Sequence, residues 1–334
     1  MTGPTFPFPV LLGDVGGTNA RFALIAGPDE PMVRFPDVAT ADYSMFSEAM
    51  MAAAEGIGLQ PRSAAVALAG PVSGDQIALT NAHWVVEPRK TIQRLNLELM
   101  VVLNDFEAQS LALPILTDAD LAAIGTAPLR TATKAVIGPG TGLGAAALIY
   151  MDGAWIPVPG EGGHVDLGPI TDRDLAVWPH IERHHGRVSA ETLISGSGMV
   201  RLYRALCRTE AVNPHLPTPA AITAAGLSGS DAQAEETLDL FATYLGRVAG
   251  DLAMVYLARG GVYLAGGIPV RITKVLQAGL FRRAFEDKAP HHHELADMAT
   301  VIVSTRDAGL AGIGAFVRQP DRYMLNLEGR IWRP

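Results

Sequence analysis

The stretch VLLGDVGGTNARFALIA, Val10 to Ala26, decides how the chain is read. Val10–Leu12 and Ala20–Ala26 are apolar and flank Gly13-Asp14-Val15-Gly16-Gly17-Thr18-Asn19. Two strands joined by a tight glycine turn is the natural reading. Consecutive glycines can aim several backbone N–H groups at one anion without side-chain obstruction. Asp14 opens the turn, where a carboxylate can hold Mg²⁺, directly or through water, beside phosphate groups. An ordinary hairpin with a helpful glycine pair explains the same residues.

Beyond this hairpin, Tyr43–Ile57 has the apolar spacing of a helix, and Ala64–Leu68 and Met100–Leu103 are short apolar runs that read as strands. Phe106–Leu113 reads as a helix that stops before Pro114. Then the pattern restarts. Lys134–Ile137 is a strand, followed by Gly138-Pro139-Gly140-Thr141-Gly142-Leu143-Gly144, and Ala145–Tyr150 is a strand again before an Asp152-Gly153 turn. A strand–glycine turn–strand unit thus occurs twice, as duplicated βββαβα domains around a cleft would show. Asp172 to Gln277 reads as mostly helical, with Leu238–Leu257 its longest periodic segment. Gly261–Leu264 and Val301–Ser304 close the set of strands. Ala308–Val317, rich in Ala and Gly, reads as a helix packed closely on a neighbour.

Gly140 to Ala145 fits the spacing of a dinucleotide fingerprint, with Glu161 near the acidic position. Such a loop must open a helix, whereas here a strand follows, so a second phosphate-cradling hairpin is the better reading. Ala265-Gly266-Gly267 ends a strand and would let a flat ring approach the backbone; a plain turn explains it equally well. Asn104-Asp105 stands between a strand and a helix. Asp105 within reach of a sugar hydroxyl can take its proton during phosphoryl transfer, and Asn104 can fix a neighbouring hydroxyl. Both residue types are also favoured N-caps. Glu161-Gly162-Gly163-His164 places two hydrogen-bonding side chains on a bend near Pro157 and Pro159, and Glu191 follows Ser189-Ala190. A neutral polyol needs convergent donors and acceptors of this kind. A structural histidine and a helix-start carboxylate are the plainer readings.

Composition narrows the classes. Of 334 residues 49% are hydrophobic and 18% charged, which suits a large core without long disordered tails. The net charge of −8 and the absence of a Lys/Arg cluster disfavour a nucleic-acid partner. Any phosphate would therefore be met by backbone amides and a metal. Cys207 is the only cysteine, so an intrachain disulfide and a Cys-rich zinc site are excluded, and a reducing cytoplasm is expected. MTGPTFPFPV has no basic start or long apolar run, so no signal peptide is expected; no apolar stretch reaches membrane-span length. The His184-His185 and His291–His293 runs read as solvated.

LLGDVGGTNARFAL, LNDFEAQSLALP, GPGTGLGAAAL, PGEGGHVDLGP, SAETLISGSGMVRLY and LAGGI occur here in order. Together they resemble the bacterial glucokinases of the proteobacterial type, within the superfamily of sugar kinases, actin and heat-shock ATPases. The resemblance runs from Leu11 to Arg318. It implies an α/β fold with two actin-like ATPase (ribonuclease H-like) domains flanking a cleft. Residues 1–115 plus 306–334 would form the smaller domain, and 116–305 the larger, with helical insertions.

The resemblance also implies ATP-dependent phosphorylation of D-glucose at its 6-hydroxyl. Gly13, Asp14, Val15, Gly16, Gly17 and Thr18 would form the first phosphate loop, with Asp14 near Mg²⁺. Gly138, Gly140, Thr141 and Gly142 would form the second, and Gly266 and Gly267 the adenosine-side turn. Asn81, Asn104, Asp105, Glu161, His164 and Glu191 would bind glucose, with Asp105 as general base. A homodimer is a further expectation. The related repressor-and-kinase family carries a Cys-rich zinc segment after its Gly-x-Gly-His stretch. Here VDLGPITDRD follows Gly163-His164, and no helix-turn-helix precedes Leu11. A zinc-free kinase is expected, without a DNA-binding role. A kinase for mannose or an N-acetylated hexosamine, and a non-catalytic sugar sensor, are the alternatives.

Overall fold

The computed structural model describes residues 3–55, 58–79 and 82–334. The chain divides into two compact units, Met1–Leu116 with Leu148–Pro159 and Asp307–Pro334, and Thr117–Ala147 with Gly160–Arg306. The division differs from the expected boundaries in giving Leu148–Pro159 to the first unit.

The first unit contains β1 (Val10–Val15), β2 (Asn19–Ile25), β3 (Met32–Arg34), β4 (Val38–Ala39), β5 (Ser63–Leu68), the small pair β6 (Ile77–Ala78) and β7 (Val85–Val86), and β8 (Leu99–Asn104). Its main sheet runs from the C-terminal strand Ile331–Trp332 through β8, β5, β1 and β2 to β3, with β4 also on β2. β1 and β2 are antiparallel, from Val10↔Ile25 to Val15↔Ala20. β5 and β8 lie parallel to β1, and their register puts Val15, Leu68 and Asn104 in one row. β1, β5 and β8 are near-continuous apolar runs because both faces are covered. On one face Leu11, Val66 and Val102 join Phe22, Phe46 and Trp84 in a buried cluster. Helices Asp105–Ala112 and Ala308–Arg318 pack against the sheet and each other. Gly312 lies so close to Ala108 O that a Cβ would overlap it, so the small residues of the last helix serve the close packing expected of them.

The second sheet is built from β9 (Leu121–Ile124), β10 (Lys134–Pro139), β11 (Leu143–Met151), β12 (Ala154–Gly160), β13 (Val262–Leu264) and β14 (Thr300–Val303). Its order is β12-β11-β10-β13-β14-β9. β10, β13 and β14 are parallel, with Ile137, Leu264 and Ile302 in one row. The hairpin-plus-two-parallel-strands arrangement of β2-β1-β5-β8 is thus repeated as β11-β10-β13-β14, which is the duplication visible in the sequence. Pro157 and Pro159 lie in β12, an edge strand, where a missing N–H costs no ladder bond, and the bend of Glu161–His164 is the single helical turn Gly162–His164 that follows it. The helical stretch includes Gly196–Thr209, Pro219–Ser228 and Ala232–Tyr256, whose apolar faces share one cluster with β10 and β13. Among the described residues no helix is long and apolar enough to cross a membrane.

Candidate active site

In the first unit Gly13, Asp14 and Val15 lie within β1, paired with Phe22, Arg21 and Ala20, so Asp14 does not open the turn. The turn Gly16–Thr18 joins β1 to β2 at the C-terminal edge of the parallel strands, the edge where open α/β sheets bind ligands. Thr40 fixes it: its hydroxyl donates to Gly17 O at 3.0 Å and Thr18 O at 3.1 Å, and its N–H donates to Thr18 O at 3.0 Å. Two of the turn's carbonyls are thereby directed to Thr40, while Thr18 and Asn19 stay exposed.

Asp14 is largely buried and carries an alternating chain of charges. Arg21 Nη1 lies 3.5 Å from Asp14, Arg21 Nε 3.8 Å from Asp37, Arg34 Nη2 2.7 Å from Asp37, and Arg34 Nε 3.0 Å from Asp307. Burial pushes the Asp14 carboxyl above the usual carboxylate range; Arg21 pulls it back and Asp307 pushes it further. The Asp14 carboxylate rests on the first turn of Ala308–Arg318, where a Cβ on Gly309 would stand 2.9 Å from Oδ2. Asp307 occupies the N-cap position of that helix yet makes no side-chain cap, and its Oδ1 is buried without a hydrogen-bond partner. An acceptor left over beside a desolvated carboxylate fits a hydrated divalent cation, which brings donors of its own. Asp307, Arg21 and Arg34 were not singled out in the sequence. The one available signal was an Asp directly before a glycine-rich helix.

Asn104 ends β8 and Asp105 begins the next helix, one residue earlier than Phe106. The cap reading of Asn104 is correct: its Oδ1 accepts from Phe106 N at 3.0 Å and Glu107 N at 3.1 Å, and its Nδ2 donates to Gly70 O at 3.2 Å. Glu107 returns the bond by accepting from Asn104 N at 3.3 Å, completing a capping box. Asp105 is therefore held at the first helical position, half-buried, on the same sheet edge as the Asp14 turn. Two strand spacings, about 10 Å, separate the strands that carry them.

In the second unit three expected segments meet at one peptide. Gly138–Gly142 passes from β10 into β11, with Gly140 N donating to Gly142 O at 2.8 Å and Gly140 O accepting from Gly196 N at 2.9 Å. Glu191, on the short helix Ala190–Leu193, accepts from Leu143 N at 2.8 Å through Oε2. The Glu161–His164 turn presses on the same residue, since a Cβ on Gly163 would overlap Leu143 O. Ala190 N donates to Val165 O at 2.9 Å, tying that turn to the helix of Glu191. Glu161 and His164 are exposed and face each other, with Oε2 and Nε2 3.7 Å apart. Gly266 caps the short helix Gly267–Arg271 at φ +90°, and Ala265 N donates to Ile137 O at 2.9 Å, setting this third turn beside the second loop.

Asn81 lies outside the described residues. Among those described there is no group of three or more His, Cys, Asp or Glu side chains able to hold a metal ion. His291–His293 stay exposed, as expected of a solvated run.

The comparisons with known proteins converge. The Glucokinase family model matches residues 11–320. A glucokinase of Brucella suis is 52% identical over 331 residues, covering 98% of this chain and 96% of its own. The crystal structure of a glucokinase from an Antarctic psychrotroph superposes with a TM-score of 0.82 at 31% identity, over 93% of this chain and 99% of that one. A ROK-family glucokinase from Streptomyces griseus, solved with glucose and AMPPNP, shares the fold at 20% identity, with a TM-score of 0.64 over 93% and 99% of the two chains. The expected α/β sugar-kinase fold of the actin-like class is therefore present. With the family model spanning nearly the whole chain and half of all residues shared with a curated relative, this protein belongs to the glucokinase family.

Proposed function

We propose that the protein transfers the γ-phosphoryl group of ATP to the 6-hydroxyl of D-glucose. The family membership supports the reaction, since the Brucella relative carries the name glucokinase and the Streptomyces structure holds glucose and an ATP analogue. The observation that carries the assignment of roles is the shared sheet edge of Asp105 and the Asp14 turn. A base and a phosphate cradle about two strand spacings apart suit an acceptor hydroxyl lying between them.

Asp105 takes the proton of the 6-hydroxyl as that oxygen attacks phosphorus. The helix start that carries it is fixed by the capping box of Asn104 and Glu107, so Asn104 acts first as a positioning residue, and Asp105 Oδ1 itself accepts from Phe106 N at 3.0 Å. Glu161, His164 and Glu191 supply hydrogen bonds to sugar hydroxyls, with Asn81 as a further contact. The loops of Gly13–Thr18 and Gly138–Gly142 cradle the phosphates, and Gly266-Gly267 faces the adenosine. Asp14, with Asp307 beside it, would hold the divalent cation that neutralises the triphosphate's charge. Zinc has no part in this reading; stoichiometric zinc whose removal abolished activity would contradict it.

Asp105→Asn keeps the shape and removes the proton affinity. Turnover at saturation should fall by ~10²–10⁴-fold. Glucose binding, followed by titration calorimetry, should stay near that of the unaltered protein. Retention of more than about a third of the turnover would remove Asp105 from the role of base.

A further inference from the structure

Leu143 is the residue on which three segments assigned to two different ligands converge. Its N–H donates to Glu191 Oε2 at 2.8 Å, and its carbonyl oxygen is covered by Gly163 of the Glu161–His164 turn. It also follows Gly142 directly, so its peptide is the exit of the second glycine loop. Glu191 occupies the space beside Gly142: a Cβ added there would overlap Oε2. The carboxylate is itself well fixed. Its helix begins at a capping box of Ser189 and Thr192, and Ser195 Oγ donates to Glu191 O at 2.8 Å. The same Ser195 caps Gly196–Thr209, whose first N–H holds Gly140 O.

Resting on the glucokinase reading above, we propose that Glu191 is a positioning residue for the nucleotide loop and that it carries sugar occupancy to that loop. An ionised carboxylate offers two oxygens and about four acceptor positions, so one can hold the Leu143 amide while the other receives a sugar hydroxyl. A bound sugar restricts the carboxylate, the carboxylate restricts the Leu143 peptide, and the loop loses less freedom when the phosphates arrive. Each ligand then tightens the other by the same factor, as linkage requires.

The relationship runs in both directions, which makes it separable from a purely sugar-binding role. A glutamate serving the sugar alone would leave nucleotide affinity in the sugar-free protein untouched. A glycine serving the phosphates alone would leave sugar affinity in the nucleotide-free protein untouched.

The test is titration calorimetry of AMPPNP with Mg²⁺ and of glucose, each alone and in the presence of the other, with melting temperatures measured alongside. For the unaltered protein, glucose should lower the AMPPNP dissociation constant. In Glu191→Ala that constant without glucose should rise about 5- to 10-fold, and the effect of glucose on it should vanish. Glu191→Gln, which keeps an acceptor for the Leu143 amide, should restore sugar-free nucleotide affinity to within about twofold. Gly142→Ala should weaken glucose in the absence of nucleotide, because its new Cβ displaces the carboxylate. Should Glu191→Ala fail to fold, the Gln and Gly142 variants decide the matter. AMPPNP affinity equal to the unaltered protein in Glu191→Ala, or unchanged glucose affinity in a folded Gly142→Ala, overturns the coupling. An unaltered protein that binds neither ligand overturns the glucokinase reading itself.

Discussion

Arg330 Nη1 lies 2.5 Å from Glu107 Oε2, and Nη2 lies 3.2 Å from Oε1, so a residue near the C-terminus clamps the glutamate that closes the capping box before Asp105. The Glu107 side chain is 1% exposed and that of Arg330 13%. Removing one partner of such a pair strands a charge in a poorly solvated place, at a cost of ~3–5 kcal/mol. Arg330→Met should therefore lower unfolding free energy in urea by about 3 kcal/mol. It should also reduce turnover while leaving the nucleotide constant nearly unchanged, because the helix start that carries Asp105 loosens. A loss below about 0.5 kcal/mol would show that the pair is too wet to matter.

Burial raises the pKa of Asp14, Arg21 opposes that shift, and an unpartnered carboxylate oxygen of Asp307 is its neighbour. Asp14→Asn should raise the Mg²⁺ concentration needed for half-maximal turnover by ~10-fold or more. Its far-ultraviolet dichroism should match the unaltered protein. An identical magnesium titration would reduce Asp14 to a turn residue.

Lys134 provides a pH test that is independent of catalysis. It is buried at the start of β10, and its Nζ donates to Tyr263 Oη at 2.8 Å and Gly260 O at 3.1 Å. Burial lowers its pKa from 10.5 to about 8. The charged form is thus disfavoured in the fold. Between about pH 8 and pH 10.5 the unfolded chain keeps a proton that the folded chain has released, so stability attributable to this group rises with pH across that window. Comparison with Lys134→Met by urea unfolding isolates it. The difference should shift in favour of the unaltered protein by up to ~3 kcal/mol between pH 7.5 and pH 10. A flat difference would mean that the ammonium stays charged in the fold.

The glycine hairpins were legible because apolar runs flank them and glycine marks the turns; Asp152-Gly153, at φ +51° and +83°, is the same signal. The small-residue last helix was legible for a similar reason, since Ala and Gly in an apolar helix have no better use than close approach. Helix starts are displaced in both directions. Asn104 satisfies the first amides, which admits Asp105 to the helix one residue ahead of Phe106, whereas the helix read from Tyr43 begins later, at Phe46. Contacts across long separations left no local mark. Glu191 and Leu143 are 48 residues apart, and Arg330 and Glu107 are 223 apart. Asp307 stands at the N-cap position of the last helix, but its side chain pairs with Arg34 rather than capping, a use that no local pattern marks.

The most direct measurement is the identity of the product. Purified protein incubated with glucose, ATP and Mg²⁺ should form ADP and a single phosphomonoester. Its ³¹P signal should correlate with the protons on C6 of the sugar, and in an equimolar mixture with mannose and N-acetylglucosamine the glucose signal should grow first. No glucose-dependent ADP, phosphate on any oxygen other than O6, or faster phosphorylation of another hexose would contradict glucose 6-phosphorylation as the function of this chain.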